Sequence, residues 1–443
     1  MQVCSPLKSG SPCRLLAFAV ALALVLAGSD FARAEPLPAE CSDCARPRMS
    51  GSWGGHRDRI EARGLRVDLD ATYTFQGVAS GGLDSRVAAL LTAEDDLGNT
   101  FSSDLILELD SERAGLWRGG LLRVRVEGRA GESAIERAGT VSPVGNEPIY
   151  PNVVDDFDGE VIAFTELTLF QSIGRGFGVF GGLMNTAEGD ANTLAGSAIS
   201  NEHFLNSALL YSLVEDATVA NSALGGGISY EPSERLVGSV SAFGTSETAG
   251  TDPFSGWQGT TFSTEWTFAH ALGERPGAQT LGFLYGIDAS RTDIARSPRV
   301  AIGSILLGLP VPSTDADTWS LYYNAEQFVH GDAERGVGVF LRLGFSDGNP
   351  NPIRWNLAAG LGGTGIVPGR PSDRFGAGFF YLGVSDADLL RGLGVGDEVG
   401  GELFYDFALT GWLRITADAQ VVDPARPVSG TAVVLALRTR AVF

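Results

Sequence analysis

The sequence predicts an all-β protein: a transmembrane antiparallel β-barrel, preceded by one short N-terminal helix on the periplasmic side. Three observations carry that expectation. The chain opens like an exported protein. No later run approaches the ~20 apolar residues that a membrane-crossing helix needs. Segments about ten residues long, alternating apolar and polar, recur along the chain, as barrel strands do. Of the 443 residues, 59 are Gly, 44% are hydrophobic and only 19% are charged. No composition break divides them into soluble domains. The formal net charge of -21 argues against a nucleic-acid partner, because phosphate binding needs concentrated cations.

Residues 1–34 read as a secretory signal peptide. Lys8 and Arg14 form a basic start, Leu15 to Ala27 an apolar core, and Ala32-Arg33-Ala34 a small-x-small cleavage site. Leu26-Ala27-Gly28-Ser29 has Ser where a lipoprotein would carry Cys, so no lipid anchor is expected. Lys8 is the only lysine. Every later cation is therefore a planar, permanently charged guanidinium. Residues 35–64 form a leader that ends in a short amphipathic helix before Gly64, a residue suited to the left-handed position after a helix. Within it, Cys41 and Cys44 are disulfide candidates in an oxidising compartment. Zinc would need two more ligands, and His56, His203, His270 and His330 are scattered singly, so no metal or other cofactor is expected.

The barrel is expected over 65–443. Its first strand is Val67 to Gln76, with apolar residues at odd positions and Asp, Thr or Gln at the even ones. Successive strand side chains point to opposite faces, so such a segment has one apolar and one polar side. Asp104 to Arg129 reads as a long hairpin. Leu105, Leu107 and Leu109 oppose Asp104, Glu108 and Asp110; Val124, Val126 and Gly128 oppose Arg123, Arg125, Glu127 and Arg129. A soluble sandwich would bury the apolar side, whereas a closed membrane barrel turns it to lipid and the charges to a wet lumen. The recurrence of the pattern near Leu281, Trp319, Val337, Leu403 and Leu413, together with the export signal, favours the barrel. Links alternate between short turns, such as Glu231-Pro232-Ser233-Glu234 and Thr410-Gly411, and longer Gly/Asp/Pro/Asn segments. Trp319, Tyr323, Tyr405 and Trp412 fall near strand ends, where interfacial girdles lie. The last strand, Val433 to Phe443, ends in Phe, which resembles the signal read by the outer-membrane assembly machinery. The segment from Gly131 to Glu160 carries no clean alternation.

Three regions together resemble the carbohydrate-selective porins of the OprB family. The first is Gly51-Ser52-Trp53-Gly54-Gly55 with Arg57 and Gly64, with His56 standing where an apolar residue is expected. The second is Gly182-Leu183-Met184-Asn185-Thr186, followed by Asn192 and Phe204-Leu205-Asn206. The third begins with Val367-Pro368-Gly369-Arg370 and Asp373-Arg374-Phe375-Gly376. It continues through Gly401 to Tyr405, Leu409 to Leu413, and Asp418 to Val422. The resemblance covers most of the chain beyond the signal and is most specific towards the C-terminus. It implies a barrel of sixteen strands in the bacterial outer membrane, open to water and passing glucose and related sugars. A monomer and a homotrimer are both compatible with it.

In a channel the relevant chemistry is selection by field and hydrogen bonding. Asp104, Glu108, Asp110, Arg123, Arg125, Glu127 and Arg129 are the first candidates for pore lining and sugar contact, since guanidinium and carboxylate groups both bond hydroxyls. Ordinary ion-paired lumen wall is the alternative for these residues. Asp68, Asp70, Arg342, Arg414, Asp418, Arg438 and Arg440 are weaker lumen candidates on the same parity. The acidic runs Asp155 to Glu160 and Glu94 to Asp96 read as solvated loops without calcium-loop spacing. Gly360 to Gly365 satisfies G-x-G-x-x-G, but Pro368 follows where a phosphate-binding helix should start. Two rival functions stand beside a sugar porin: a general or differently selective porin, and an outer-membrane barrel hydrolase. The hydrolase would need a nucleophile, base and orienting group in reach, and no motif here supplies them.

Overall fold

The computed structural model describes residues 48–84, 96–132, 134–145, 160–199, 201–215, 218–245, 259–287, 291–292, 294–295, 313–314 and 317–443. The signal peptide, Cys41, Cys44, Glu94, Asp95 and the acidic residues 155–159 lie outside the described residues. A short helix, α1 (His56–Glu61), leads into the first strand. The strands are β1 (Leu65–Leu83), β2 (Leu97–Asp110), β3 (Gly120–Glu132), β4 (Glu160–Gly174), β5 (Phe177–Asn185) and β6 (Ser222–Ser233). Next come β7 (Leu236–Gly244), β8 (Thr260–Leu272), β9 (Arg275–Ile287), β10 (Thr318–Gly331) and β11 (Gly336–Ser346). The ring ends with β12 (Ile353–Thr364), β13 (Arg374–Val384), β14 (Glu398–Ala408), β15 (Leu413–Asp423) and β16 (Ser429–Val442).

Each strand pairs with its sequence neighbours, and β1 pairs antiparallel with β16, so the sheet is a closed barrel of sixteen strands. Closure leaves no edge, which is what a sheet in hydrocarbon requires. The burial pattern is inverted relative to a soluble protein. Large apolar side chains such as Tyr73, Phe75, Phe262, Phe283, Phe345, Leu403 and Leu435 are exposed outside, while Asp104, Arg125, Glu127, Arg342, Glu402 and Arg438 are buried inside. The parity read from the sequence for β1, β2, β3, β10, β11, β14 and β15 therefore sorts lipid from lumen. The first strand is longer than the ten residues expected, and the G-x-G-x-x-G run lies on β12 rather than at a phosphate loop.

Short turns at 175–176, 234–235 and 273–274 mark one end of the barrel, and the long connections 84–96, 133–159, 186–221, 245–259 and 288–317 mark the other. The N-terminal segment seals the seam at the short-turn end. Arg57, buried beneath the Trp53 ring at 4.4 Å, donates to the carbonyls of Val67 (3.0 Å) and Phe443 (2.9 Å). Arg48 bridges Glu61 (2.7 Å) and Asp68 (2.5 Å). Gly64 has φ +87, and a Cβ there would lie 2.6 Å from the carbonyl oxygen of Asp110, so no other residue fits that turn without strain.

Candidate functional site

The barrel interior is divided by one loop. Residues 186–221 leave at β5 and return at β6, yet they bond to strands half-way round the ring. The loop must therefore cross the lumen. Asn185 starts it by capping the first turn through the Ala187 N–H (3.1 Å). Asn192 then meets Asn324 of β10 (2.8 Å), and Arg342 of β11 pairs with Asp190 (2.5 Å) while donating to the Gly196 carbonyl (3.1 Å). Glu402 of β14 accepts the N–H groups of Leu205 (2.5 Å) and Asn206 (2.8 Å). Arg438 of β16 donates to the His203 carbonyl (2.6 Å), and the Asn201 amide donates to Ser102 of β2 (3.2 Å).

An apolar seat accompanies these bonds. Leu194, Phe204, Leu209, Leu210 and Val214 of the loop are buried against inward-facing Phe340, Phe380, Leu382, Phe404 and Val422. Small wall residues make the room. A Cβ at Gly362 would lie 2.7 Å from the Leu194 carbonyl oxygen, and one at Gly378 would lie 2.7 Å from the Leu209 side chain. Such approaches demand glycine, because protein interiors have no slack of that size. A second inward segment, residues 134–145, packs beside the loop. Glu398 of β14 accepts from the N–H groups of Val141 (2.7 Å) and Ser142 (2.8 Å), and Ser207 N–H donates to the Pro143 carbonyl (2.9 Å).

The residues singled out from the sequence fall into three groups. Asp104, Arg125, Glu127 and Arg129 form one inward network on β2 and β3. Arg125 pairs with Asp104 (2.7 Å) and Glu127 (3.0 Å), and Arg129 also binds Glu127. Arg123 and Glu108 are more open, about a quarter exposed, 3.6 Å apart and joined by Glu166 at 3.5 Å. Asp110 stands apart at the short-turn end, where it accepts the N–H groups of Glu112 and Arg113 (both 3.0 Å). Among the weaker candidates, Arg342 and Arg438 face inward but lie under the loop and hold it, and Asp418 is buried beside Gln420 (3.0 Å). Asp68 pairs with Arg66 as well as Arg48, Asp70 with Arg440 (2.8 Å), and Arg414 with Asp406 (2.7 Å).

Sequence reasoning missed Glu202, Glu166 and the loop itself. Glu202 bridges Arg374 and Arg440, which brings β13, β16 and the loop together. Glu166 was hidden because a bulge opposite Arg125 and Val126 breaks the alternation of β4. His203, next to Glu202, is fully enclosed. Burial first, and the Arg374 guanidinium second, push its imidazole down to about 3, so it is neutral in the seated loop. Burial pushes the Asp190 carboxyl up to about 6 against the pull of Arg342.

A closed sixteen-stranded barrel with an apolar exterior, an ionic interior and a loop folded across its lumen is a porin-type channel. The sequence model of the family described as carbohydrate-selective porin, OprB family, matches residues 94–443, and the chain belongs to that family. Among solved structures, the high-pH structure of Pseudomonas putida OprB has a TM-score of 0.75 to this chain at 20% identity, covering 91% of this chain and 100% of that one. The low-pH structure of the same Pseudomonas putida protein has a TM-score of 0.55 at 17% identity, covering 89% and 98%. At these identities the likeness is one of fold. No curated protein matches by sequence. Family and fold together place the chain in the outer membrane as a sugar porin and point to a channel.

Proposed function

We propose that the barrel lets glucose and related sugars diffuse passively between the crossing loop and the ionic wall of β2–β4. One observation carries this reading. The loop covers the lumen face of β10–β16, so the passage is left to the opposite wall, where Arg123, Glu108 and Arg129 keep exposed surface. Guanidinium donors and carboxylate acceptors alternate there, and a sugar hydroxyl can exchange bonds with both in turn. Charged groups already paired with one another resist reorganisation, so a neutral polyol meets little electrostatic barrier. No energy coupling and no cofactor enter this scheme.

The test is single-channel conductance of the refolded protein in a planar bilayer, titrated with glucose. Saturable, glucose-dependent block supports the reading, and openings indifferent to sugars would leave a general porin in its place. The Arg123→Ala channel should conduct more and be blocked less by glucose. Unchanged values would remove Arg123 from the solute path. Export by residues 1–34 and recognition of Phe443 during assembly belong to the same proposal, and N-terminal sequencing of the mature protein checks the first of them.

A further inference from the structure

A cavity of about 290 Å³ lies in the lumen between the first limb of the crossing loop and the inner faces of β8, β9 and β10. It is remote in the ring from the β2–β4 network. Its volume is near the lower end of the range for small-molecule sites. Glu265, Thr267, Thr280, Asn324 and Glu326 line it on the wall side, and Asn192 and Thr193 on the loop side. Thr267 and Thr280 bond each other through their hydroxyls at 2.8 Å, which leaves one hydroxyl hydrogen and several lone pairs for a guest. Tyr322 donates to Oε2 of Glu265, and Oε1 has no partner among the described residues. Glu326 accepts from the Thr193 N–H (2.5 Å) and hydroxyl (2.7 Å). Neither Glu265 nor Glu326 forms an ion pair among the described residues. Asp190, also on the lining, is buried and already paired with Arg342, and its Oδ1 lacks a hydrogen bond.

The two stretches of inner wall therefore differ in kind. Among the described residues the inward carboxylates of β2–β4, Asp104, Glu108, Glu127 and Glu166, each have an arginine, whereas on β8–β10 Glu265 and Glu326 stand among hydroxyls with no cation paired to them. We propose that the β8–β10 cavity is a second sugar-binding subsite, one that takes a single neutral or amine-bearing sugar ring and rejects sugar acids. The proposal rests on the sugar-porin reading. Carboxylate and threonine oxygens accept sugar hydroxyls, and a protonated amine on the ring adds to its hydrogen bond with Glu265 an attraction between opposite charges that an uncharged hydroxyl lacks. A carboxylate on the ring would meet two like charges in a confined space.

The experiment is block of single-channel current by glucose, glucosamine and glucuronate in turn, with the wild-type protein, Glu265→Gln and the double variant Thr267→Val/Thr280→Val. Wild-type affinity should fall in the order glucosamine, glucose, glucuronate. Glu265→Gln, which can still accept from Tyr322, should weaken glucosamine block about tenfold, the loss expected for one bond to a charged group. It should narrow the gap to glucuronate as well. The threonine variant keeps shape and charge, so it should weaken glucose and glucosamine alike and leave ion selectivity unchanged. Combining Glu265→Gln with Arg123→Ala should multiply the two effects, as expected for separate contacts. If sugars block the wild type but neither variant changes the order or the affinities, the subsite is wrong and the porin reading survives. If none of the three sugars blocks the wild type, both fall.

Discussion

The inner wall of this barrel is two surfaces built from the same strand alternation. From β10 to β16 the inward positions carry Phe340, Phe380, Phe404 and a set of glycines, with buried Arg342, Glu402 and Arg438 spaced among them. From β2 to β9 they carry Arg123, Glu108, Glu166, Glu265, Thr267 and Thr280, most of which keep some exposure. On the first surface a charge is buried against the loop backbone, so each is a fixed anchor whose loss uncovers an unpaired partner. On the second the more open charges, Arg123, Glu108 and Glu265, are wet and partly screened, so each contributes little to stability and is available to a solute, whereas Arg125 with its partners Asp104 and Glu127 is buried. Equal side chains therefore have unequal roles: Arg342 and Arg123 both point inward, but one fastens the loop and the other faces the passage.

The sharpest way to break that contrast is Arg342→Ala. It removes the partner of Asp190 and two bonds to loop carbonyls, and Asp190 is left enclosed. Breaking a buried pair on one side typically costs about 3–5 kcal/mol. The loop should leave its seat, seen as a larger and noisier conductance and as proteolytic cleavage within 186–221 of an otherwise folded barrel. A quiet channel of wild-type size would show that the loop does not depend on this anchor. Next in size is Gly362→Val, which tests the apolar seat without touching a charge. Its side chain would collide with the backbone of Leu194, and overpacking of this kind costs about 1–3 kcal/mol. A rise in conductance smaller than that of Arg342→Ala is expected.

How much of this was legible in the sequence follows from the range of each interaction. Alternation is local, so the lipid and lumen faces of β1, β2 and β3 could be read directly, and Gly64 announced the turn into β1. The terminal Phe443 and the Arg57 beside Trp53 were visible, but their bond across the seam joins the two ends of the chain. The loop was opaque for the same reason. Asn192, Phe204 and Asn206 stood out only as part of a family resemblance, and their partners Asn324, Phe404 and Gln420 lie far along the chain. A signal was present nonetheless. Phe340 and Phe404 occupy the polar parity of their strands beside inward glycines, and an aromatic row there makes sense only with something to cover it. The stretch Ser207 to Val214 is also too apolar for a solvated connection.

Acidification sharpens the comparison from the loop side. His203 is faced by Glu202 on the loop, Arg374 on β13, Arg414 on β15 and Arg438 on β16. Its folded-state value of about 3 lies below the ordinary 6.5, so the seated loop is favoured fully above pH 6.5 and loses ground as pH falls from there towards 3. Asp190 opposes this. Its value of about 6 lies above the ordinary 3.8, so the seated loop gains as pH falls between those two points. Wild-type behaviour is the difference of the two, and the histidine contribution is isolated by comparison with His203→Gln. Loop protection from protease should decline with acid more steeply in the wild type than in His203→Gln. Parallel profiles would mean that the imidazole is not enclosed in the seated loop.

The smallest expected effect on stability belongs to the open wall, and that is its value as a control. Arg123 sits 3.6 Å from Glu108 and 3.5 Å from Glu166 and is about a quarter exposed. Truncating a partly solvated pair of this geometry should cost less than about 1 kcal/mol. Arg123→Ala should therefore unfold at nearly the wild-type temperature and keep its loop protected, while its conductance rises and its glucose block weakens. Arg125→Ala, one turn of the alternation further in, removes the partner of both Asp104 and Glu127 where all three are buried. It should lower thermal stability clearly more than Arg123→Ala does. If the two variants lost the same stability, exposure would not be what sets how much an inward charge of this wall contributes to stability.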